Sequence, residues 1–317
     1  MGGDLILAQR AVTVILNLSL AILVGTSAAM LWLRTKASPW ALSTLPRLRA
    51  ALLGASGTAI LAYMAILWVE AASMAEVPLP EALPAVRSVL TGTHFGLAWM
   101  IGAVALLATA AVSATPLRTQ SRLPASVVRI VAIGVLLYSR SMVSHAGAAG
   151  DFTSAVAVDW VHLVLISMWV GEVIVAGLVT LRSPPGNTPE NRSDCAAYVQ
   201  ALSHSATVAL VGIFATGVLS TWRVLERPED LVATPLGNPY STTLIIKVGL
   251  VLGAAALGGF NRFVVMPSLL RSLTQSGHSG ADASTRFARV LQVEALVLIA
   301  VLVAAAFLTS TSPPMAA

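Results

Sequence analysis

Long apolar runs separated by short polar stretches dominate the chain. Runs matching the ~20 residues that cross a bilayer occur at about 5–33, 51–73, 89–115, 124–143, 155–181, 197–222, 240–262 and 289–309. They predict an all-α integral membrane protein, a polytopic bundle of eight transmembrane helices that forms a single membrane domain over 1–317. The first run has no basic residue among its first nine positions, is longer than the apolar part of a secretory signal, and is followed by Arg34, Lys36, Arg47 and Arg49. It reads as a retained span that begins outside the cell.

Composition agrees with this pattern. A hydrophobic share of 56% with only 10% charged residues lies outside the range of soluble domains. The net charge of +5 sits in short loops between apolar runs, which makes it a topology signal rather than a nucleic-acid surface. With the N-terminus outside, the inner loops hold Arg34, Lys36, Arg47, Arg49, Arg118, Arg122, Arg129, Arg182, Arg192, Arg262, Arg271, Arg286 and Arg289. The outer side holds Arg10, Arg87, Arg140, Arg223 and Arg227, and Lys247 falls within a span. An excess of thirteen over five predicts an N-out, C-out topology.

The outer loops are the acidic ones, with Glu70, Glu76 and Glu81 in one and Glu226, Glu229 and Asp230 in another. Pro78, Pro80 and Pro84 predict an extended 74–88 loop. The Ser, Gly and Thr content of 267–288 predicts a flexible connector. The single cysteine, Cys195, falls between two spans, so there is no disulfide framework and no Cys-x-x-Cys metal motif.

The chemistry gathers around 138–172. Arg140, Met142 and His145 close span four, a Gly/Asp loop follows, and span five opens with Asp159 and His162 on one helical face. His94 lies about five residues into span three and His162 about seven into span five, within roughly 10 Å of the outer boundary at 1.5 Å per residue. With His145 they form one layer of imidazoles, joined by Asp159 and the Met142 thioether. Imidazole with an optional thioether suits copper best, while a lone buried histidine is more often a polar group bonded across helices.

Deeper polar groups mark a possible path. Glu172 and Glu294 lie in the inner halves of spans five and eight, where a carboxyl is neutral, paired or part of an ion or proton route. His204, in the inner half of span six, reads as a second waypoint or as a core histidine bonded to a neighbour. Lys247 snorkels to the outer interface, pairs with Asp159, or repels a cation and so acts as a gate. His278 lies in the polar connector.

Several spaced motifs agree in order with one family. Tyr240-x6-Lys247, then Asn261-Arg262 and Pro267, together with Ser144-His145-Ala146, the Asp159, His162, Trp169 and Gly171 run, Thr216-Gly217, and Glu294 with Leu308-Thr309-Ser310-Thr311, resemble the bacterial copper-resistance protein D (CopD/PcoD) family. The resemblance covers the eight-span layout and is densest over 138–311. It implies a non-enzymatic bacterial inner-membrane protein of copper homeostasis and resistance that imports copper, as Cu(I) or Cu(II), from periplasm to cytoplasm beside a periplasmic CopC-type copper-binding partner. It also implies that His94, His145 and His162 are the outer copper ligands. Span one departs from the pattern, having Arg10 and Asn17 but no histidine.

Two other readings stand beside copper transport. One is a membrane redox protein in which His94 and His162 ligate a b-type haem; the other is a copper sensor or assembly partner that transports nothing. There is no phosphate-binding Gly-rich loop, no His-Glu-x-x-His helix and no nucleophile elbow in the chain.

Overall fold

The computed structural model describes residues 3–120, 122–224, 239–274 and 279–309, and these residues form helices joined by short turns. The helices are α1 (Gly3–Leu33), α2 (Pro39–Ala75), α3 (Leu83–Gly92), α4 (His94–Ala114), α5 (Leu117–Gln120), α6 (Leu123–Met142), α7 (Ser154–Val175), α8 (Pro189–Val224), α9 (Pro239–Phe260), α10 (Met266–Thr274) and α11 (Ser279–Thr309). Eight segments are long and apolar enough to cross a membrane: α1, α2, α4, α6, α7, α8, α11, and α9 continued through α10. Val104, Leu107, Val131, Val211 and Phe263 point outward, as expected of helices apolar on every side. Arg10, near the start of α1, lies 4.3 Å from the Phe307 ring near the end of α11, so these two helix ends share one face of the bundle.

α1 runs through the interior and packs on α2, α6, α7 and α11. Its contact with α7 is backbone against backbone. A Cβ added at Gly171 would lie 1.7 Å from the Ala21 carbonyl oxygen, and one added at Gly25 would lie 2.1 Å from the Gly171 carbonyl carbon. Helices in lipid gain little from hydrophobic burial against each other, so this close approach is a main source of their association. α9 leans on α11, and Ser241 and Ala254 are its buried residues among those described.

The ends of the elements depart from the sequence expectations for clear physical reasons. The 74–88 stretch is not an extended loop. Pro80 opens a 3₁₀ turn at Leu79–Glu81 and Pro84 sits in the first turn of α3, where its missing N–H costs no helix bond. The third apolar run breaks at Thr93, which is extended (φ −126°, ψ 154°) and caps α4 by accepting from the Gly96 N–H. The bend is tight: a Cβ at Gly96 would meet the Val89 carbonyl oxygen at 2.3 Å. His94 is therefore the first residue of α4, not a position five residues deep.

The 267–288 connector is also largely helical, because Leu269 and Leu273, one turn apart, are buried on one face of α10 while α11 already starts at Ser279. His278, Ser310, Thr311 and the Glu226, Arg227, Glu229 and Asp230 group lie outside the described residues. Cys195 is not in a loop; it is fully buried in α8.

Two arginines expected in loops lie on helical segments and bond to neighbouring helices. Arg129, on α6, is 0% exposed and donates from Nε to Ser27 Oγ of α1 at 3.0 Å. Arg262 lies in a π-helical segment, Asn261–Val265, after α9. It reaches α8, donating to the Ser203 carbonyl at 2.8 Å, Ser203 Oγ at 2.7 Å and Thr207 Oγ1 at 2.8 Å. A second π-helical segment, Ala176–Thr180, ends α7, and the Gly177 carbonyl there accepts from Gln292 of α11 at 3.0 Å.

The α1–α7 contact gives a stability test. Gly171→Ala forces a methyl into the Ala21 carbonyl and should destabilise the bundle, by about 1–3 kcal/mol or more for such overpacking. Gly253→Ala, which meets nothing within 4 Å, should be close to neutral. Thermal unfolding of both in detergent reads the difference, and equal melting of Gly171→Ala and wild type would contradict the packing described.

Candidate functional site

The stretch between α6 and α7 carries the outer ionisable groups. Thr153 caps α7 by accepting from the Val156 N–H, and Ser144 caps a 3₁₀ turn, His145–Ala149, by accepting from the Ala146 N–H. A Cβ at Gly147 would meet the Met142 carbonyl oxygen at 2.1 Å, so the turn lies directly on the end of α6. His145 is exposed at the start of that turn, and Met142 is buried in the bundle.

His94 stands at the rim with its side chain 51% exposed, and its Nε2 lies 2.8 Å from Asp151 Oδ1. The Asp151 backbone carbonyl accepts from the Tyr138 hydroxyl at 2.7 Å, which fixes the aspartate against α6. A carboxylate only accepts, so the hydrogen of this contact belongs to His94 Nε2. In the neutral ring Nδ1 then keeps its lone pair.

His162 is half-buried, eight residues beyond the start of α7 or about 12 Å deeper along the axis. Its Nδ1 lies 2.8 Å from Thr216 Oγ1 on α8. The one hydroxyl proton of Thr216 is directed at its own helix, toward the Gly212 carbonyl at 2.7 Å and the Ile213 carbonyl at 3.2 Å. Thr216 therefore accepts from His162 Nδ1–H. This hydrogen-bond assignment leaves Nε2 with a lone pair, and Nε2 has no hydrogen-bond partner among the described residues. A Cβ at Gly217 would sit 3.7 Å from His162 Cε1, so the following glycine borders the ring.

Asp159 lies between opposite charges. Ser144 Oγ donates to its Oδ2 at 3.0 Å, and it interacts electrostatically with Arg140 on α6 and Lys247 on α9. Arg140 also interacts with Glu70 and Tyr63 on α2, and Glu70 accepts from Gln9 of α1 at 3.1 Å. Lys247 acts on His162 as well. A line of alternating charge, Glu70, Arg140, Asp159 and Lys247, thus crosses one end of the bundle.

Farther along α7, Glu172 is 1% exposed and accepts from Ser205 Oγ of α8 at 2.7 Å. Glu294 on α11 is 2% exposed and accepts from Trp169 Nε1 at 3.1 Å. His204, adjacent to Ser205, points outward and makes no hydrogen bond among the described residues, so it is not a core histidine bonded to a neighbouring helix.

The structure joins His94 to Asp151, His162 to Thr216, and Asp159 to Ser144. It does not gather His94, His145 and His162 around one point: among the described residues there is no group of three or more His, Cys, Asp or Glu side chains placed to hold a metal. Asp151 and Thr216 are the residues sequence reasoning missed. Asp151 stood out only as the acid of a Gly/Asp loop, and Thr216 only as part of a Thr-Gly pair.

Two family models match this chain, "Copper resistance protein D-like, N-terminal domain" over residues 4–155 and "Copper resistance protein D" over 196–308. The chain belongs to the copper-resistance protein D family. It is 26% identical over 239 residues to Copper resistance protein D of Pseudomonas syringae pv. tomato, covering 75% of this chain and 74% of that relative. It is 29% identical over 234 residues to Copper transport protein CutJ of Bacillus subtilis (strain 168), covering 72% of this chain and 39% of that longer relative. The family is one of copper-resistance membrane proteins, not of enzymes.

An imidazole that donates from one nitrogen keeps a lone pair on the other, the form in which it can bind a metal. Thr216→Val removes the acceptor for His162 Nδ1–H and should weaken copper binding by about 10–100-fold, the usual cost of losing a partner behind a metal ligand. Thr216→Ser should restore most of it. Titration of detergent-purified protein with a competing chelator measures this, and equal affinity of Thr216→Val and wild type would remove Thr216 from the site.

Proposed function

We propose that this chain carries copper, as Cu(I) or Cu(II), from periplasm to cytoplasm across the bacterial inner membrane as part of copper homeostasis and resistance. The observation that carries this reading is the pair of histidines each held on one ring nitrogen by a partner from another element, His94 by Asp151 and His162 by Thr216. Each ring presents its remaining nitrogen to a soft or borderline metal.

His94 and His145 are the exposed rim groups, and His162 lies about 12 Å along α7 from that helix's start. Capture therefore runs in sequence from rim to interior. Copper delivered by a periplasmic CopC-type protein meets His94 and His145 first and passes to His162, with Asp159 supplying negative charge and Met142 a thioether beneath the turn. Lys247, acting on both Asp159 and His162, holds the site in its metal-free state and yields to the arriving cation. Glu172 and Glu294 continue the route inward. The haem b alternative has less support, because His94 and His162 are held by different partners at different depths.

The orientation belongs to the same proposal. The face that carries the starts of α1, α4 and α7 is periplasmic, giving an N-out, C-out protein. A periplasm-specific reporter fused after Ala317 should be active, and activity of a cytoplasm-specific reporter in its place would reverse the assignment.

Substitution of the histidines tests the site. His162→Ala should reduce copper affinity most, and His94→Ala or His145→Ala should slow loading more than they weaken final binding. Their combination should remove both. Wild-type copper affinity in the triple His→Ala protein would leave the proposed site without a basis.

A further inference from the structure

Glu172 and Glu294 raise a question that copper capture at the rim does not answer. Both are buried in the membrane-spanning part of the bundle, and each accepts from a neutral donor on a different helix, Ser205 and Trp169 respectively. Glu172 Oε2 is buried with no hydrogen-bond partner among the described residues. Trp169 and Glu172 are three residues apart on α7, so one helical turn links the two carboxyls through the indole.

None of the charged groups on the packed elements makes an ion pair with either carboxyl among the described residues. On α1, Arg10 lies over Phe307; on α6, Arg129 donates from Nε to Ser27 while its two terminal nitrogens are buried without a hydrogen-bond partner among the described residues, and Arg140 acts on Tyr63, Glu70 and Asp159. Lys247 of α9 acts on Asp159 and His162, and Arg262 is bonded to Ser203 and Thr207 of α8. α8 also brings Tyr198, which senses Glu172, with Cys195 beside Tyr198 and His204 pointing outward.

A carboxylate buried in lipid surroundings without a cation is costly, and two species relieve that cost: a bound proton or a passing metal ion. Glu294 also lies close against α9. Gly258 of α9 faces it, and a Cβ there would lie 3.1 Å from Oε1. Along α7, Glu172 is ten residues beyond His162, about 15 Å farther along the axis, which puts it on the inward side of the proposed capture histidine.

We propose that Glu172 and Glu294 are a proton-exchange pair, so that copper crossing in one direction is matched by protons crossing in the other. This rests on the copper-transport reading above. Each carboxyl gives up one proton when it takes on the positive charge of the metal and regains one when the metal leaves. The pair can thus hand over one proton for Cu(I) or two for Cu(II), and charge balances in either case. No bond other than O–H and the metal contact is made or broken.

The test uses the full chain in proteoliposomes, with the membrane potential clamped, a pH-reporting dye in the lumen, and copper content measured separately by elemental analysis. External copper should enter and the lumen should become more alkaline as protons leave. Glu172→Gln keeps an acceptor for Ser205 Oγ–H, and Glu294→Gln keeps one for Trp169; each should lose the copper-driven pH change. Copper uptake by wild-type protein with no accompanying pH change overturns proton exchange and leaves transport standing. An undiminished pH change in both glutamine variants overturns the assignment to this pair. Absence of copper uptake by the wild type overturns the transport reading and the exchange with it. The wild-type measurement decides the matter even where a glutamine variant fails to fold.

Discussion

The backbone contact between α1 and α7 is the constraint on which the rest depends. With Gly25 against Gly171 and the Ala21 carbonyl lying where a Gly171 Cβ would be, α7 has one rotation about its axis that avoids a clash. That rotation decides where its polar side chains point. Asp159 meets Ser144, His162 meets Thr216, Trp169 meets Glu294 and Glu172 meets Ser205. α1, which has no histidine, thus contributes to the site as the surface that orients α7. Leu165 adds a second lock: a Cβ at Gly212 of α8 would lie 2.5 Å from its Cδ1, so the leucine fills the notch that the glycine leaves.

The two halves of α7 handle polarity by different means. Near its start, charges of opposite sign alternate, and Asp159 is stabilised by Arg140 and Lys247 together with a hydroxyl. Farther along, the carboxyls of Glu172 and Glu294 meet an alcohol and an indole N–H. Coulombic attraction grows as the surroundings become less polar, but so does the cost of removing an ion from water. A charge network suits the rim, where water reaches part of it, and neutral donors suit a depth at which the desolvation cost of an ion pair is greatest.

The eight apolar segments were legible because a membrane span needs only length and hydrophobicity, and both are properties of the local sequence. Helix ends were less so. The bend at Thr93 interrupts an apolar run that shows no proline or charge at that point, and what permits it is Gly96, whose missing Cβ lets α3 fold back on α4. The prolines of 78–84 suggested an extended chain, yet Pro80 and Pro84 fall where a helix tolerates proline best. For the site, His94, His162 and Asp159 were visible as ionisable groups near the ends of apolar runs. Their partners were not, because Asp151 is 57 residues from His94 and Thr216 is 54 from His162. Only the packing of α4, α6, α7 and α8 brings such residues together.

Arg129 shows how charge counting and structure can disagree without reversing the inference drawn from them. It lies in the seventh position of α6, wholly buried, with Ser27 as its hydrogen-bond partner. A guanidinium does not lose its proton in proteins, so this charge remains within the helix bundle. Arg262 is likewise engaged with α8 rather than with a loop. Neither belongs among freely solvated inner-face charges. Setting both aside leaves eleven basic residues on the side expected to face inward against five on the other. The expected orientation rests on residues near the span ends, where translocation senses charge. The two displaced arginines do different work: Arg129 ties α6 to α1, and Arg262 ties the end of α9 to α8. Through α1 and α8 both act on the helices that hold α7 in place.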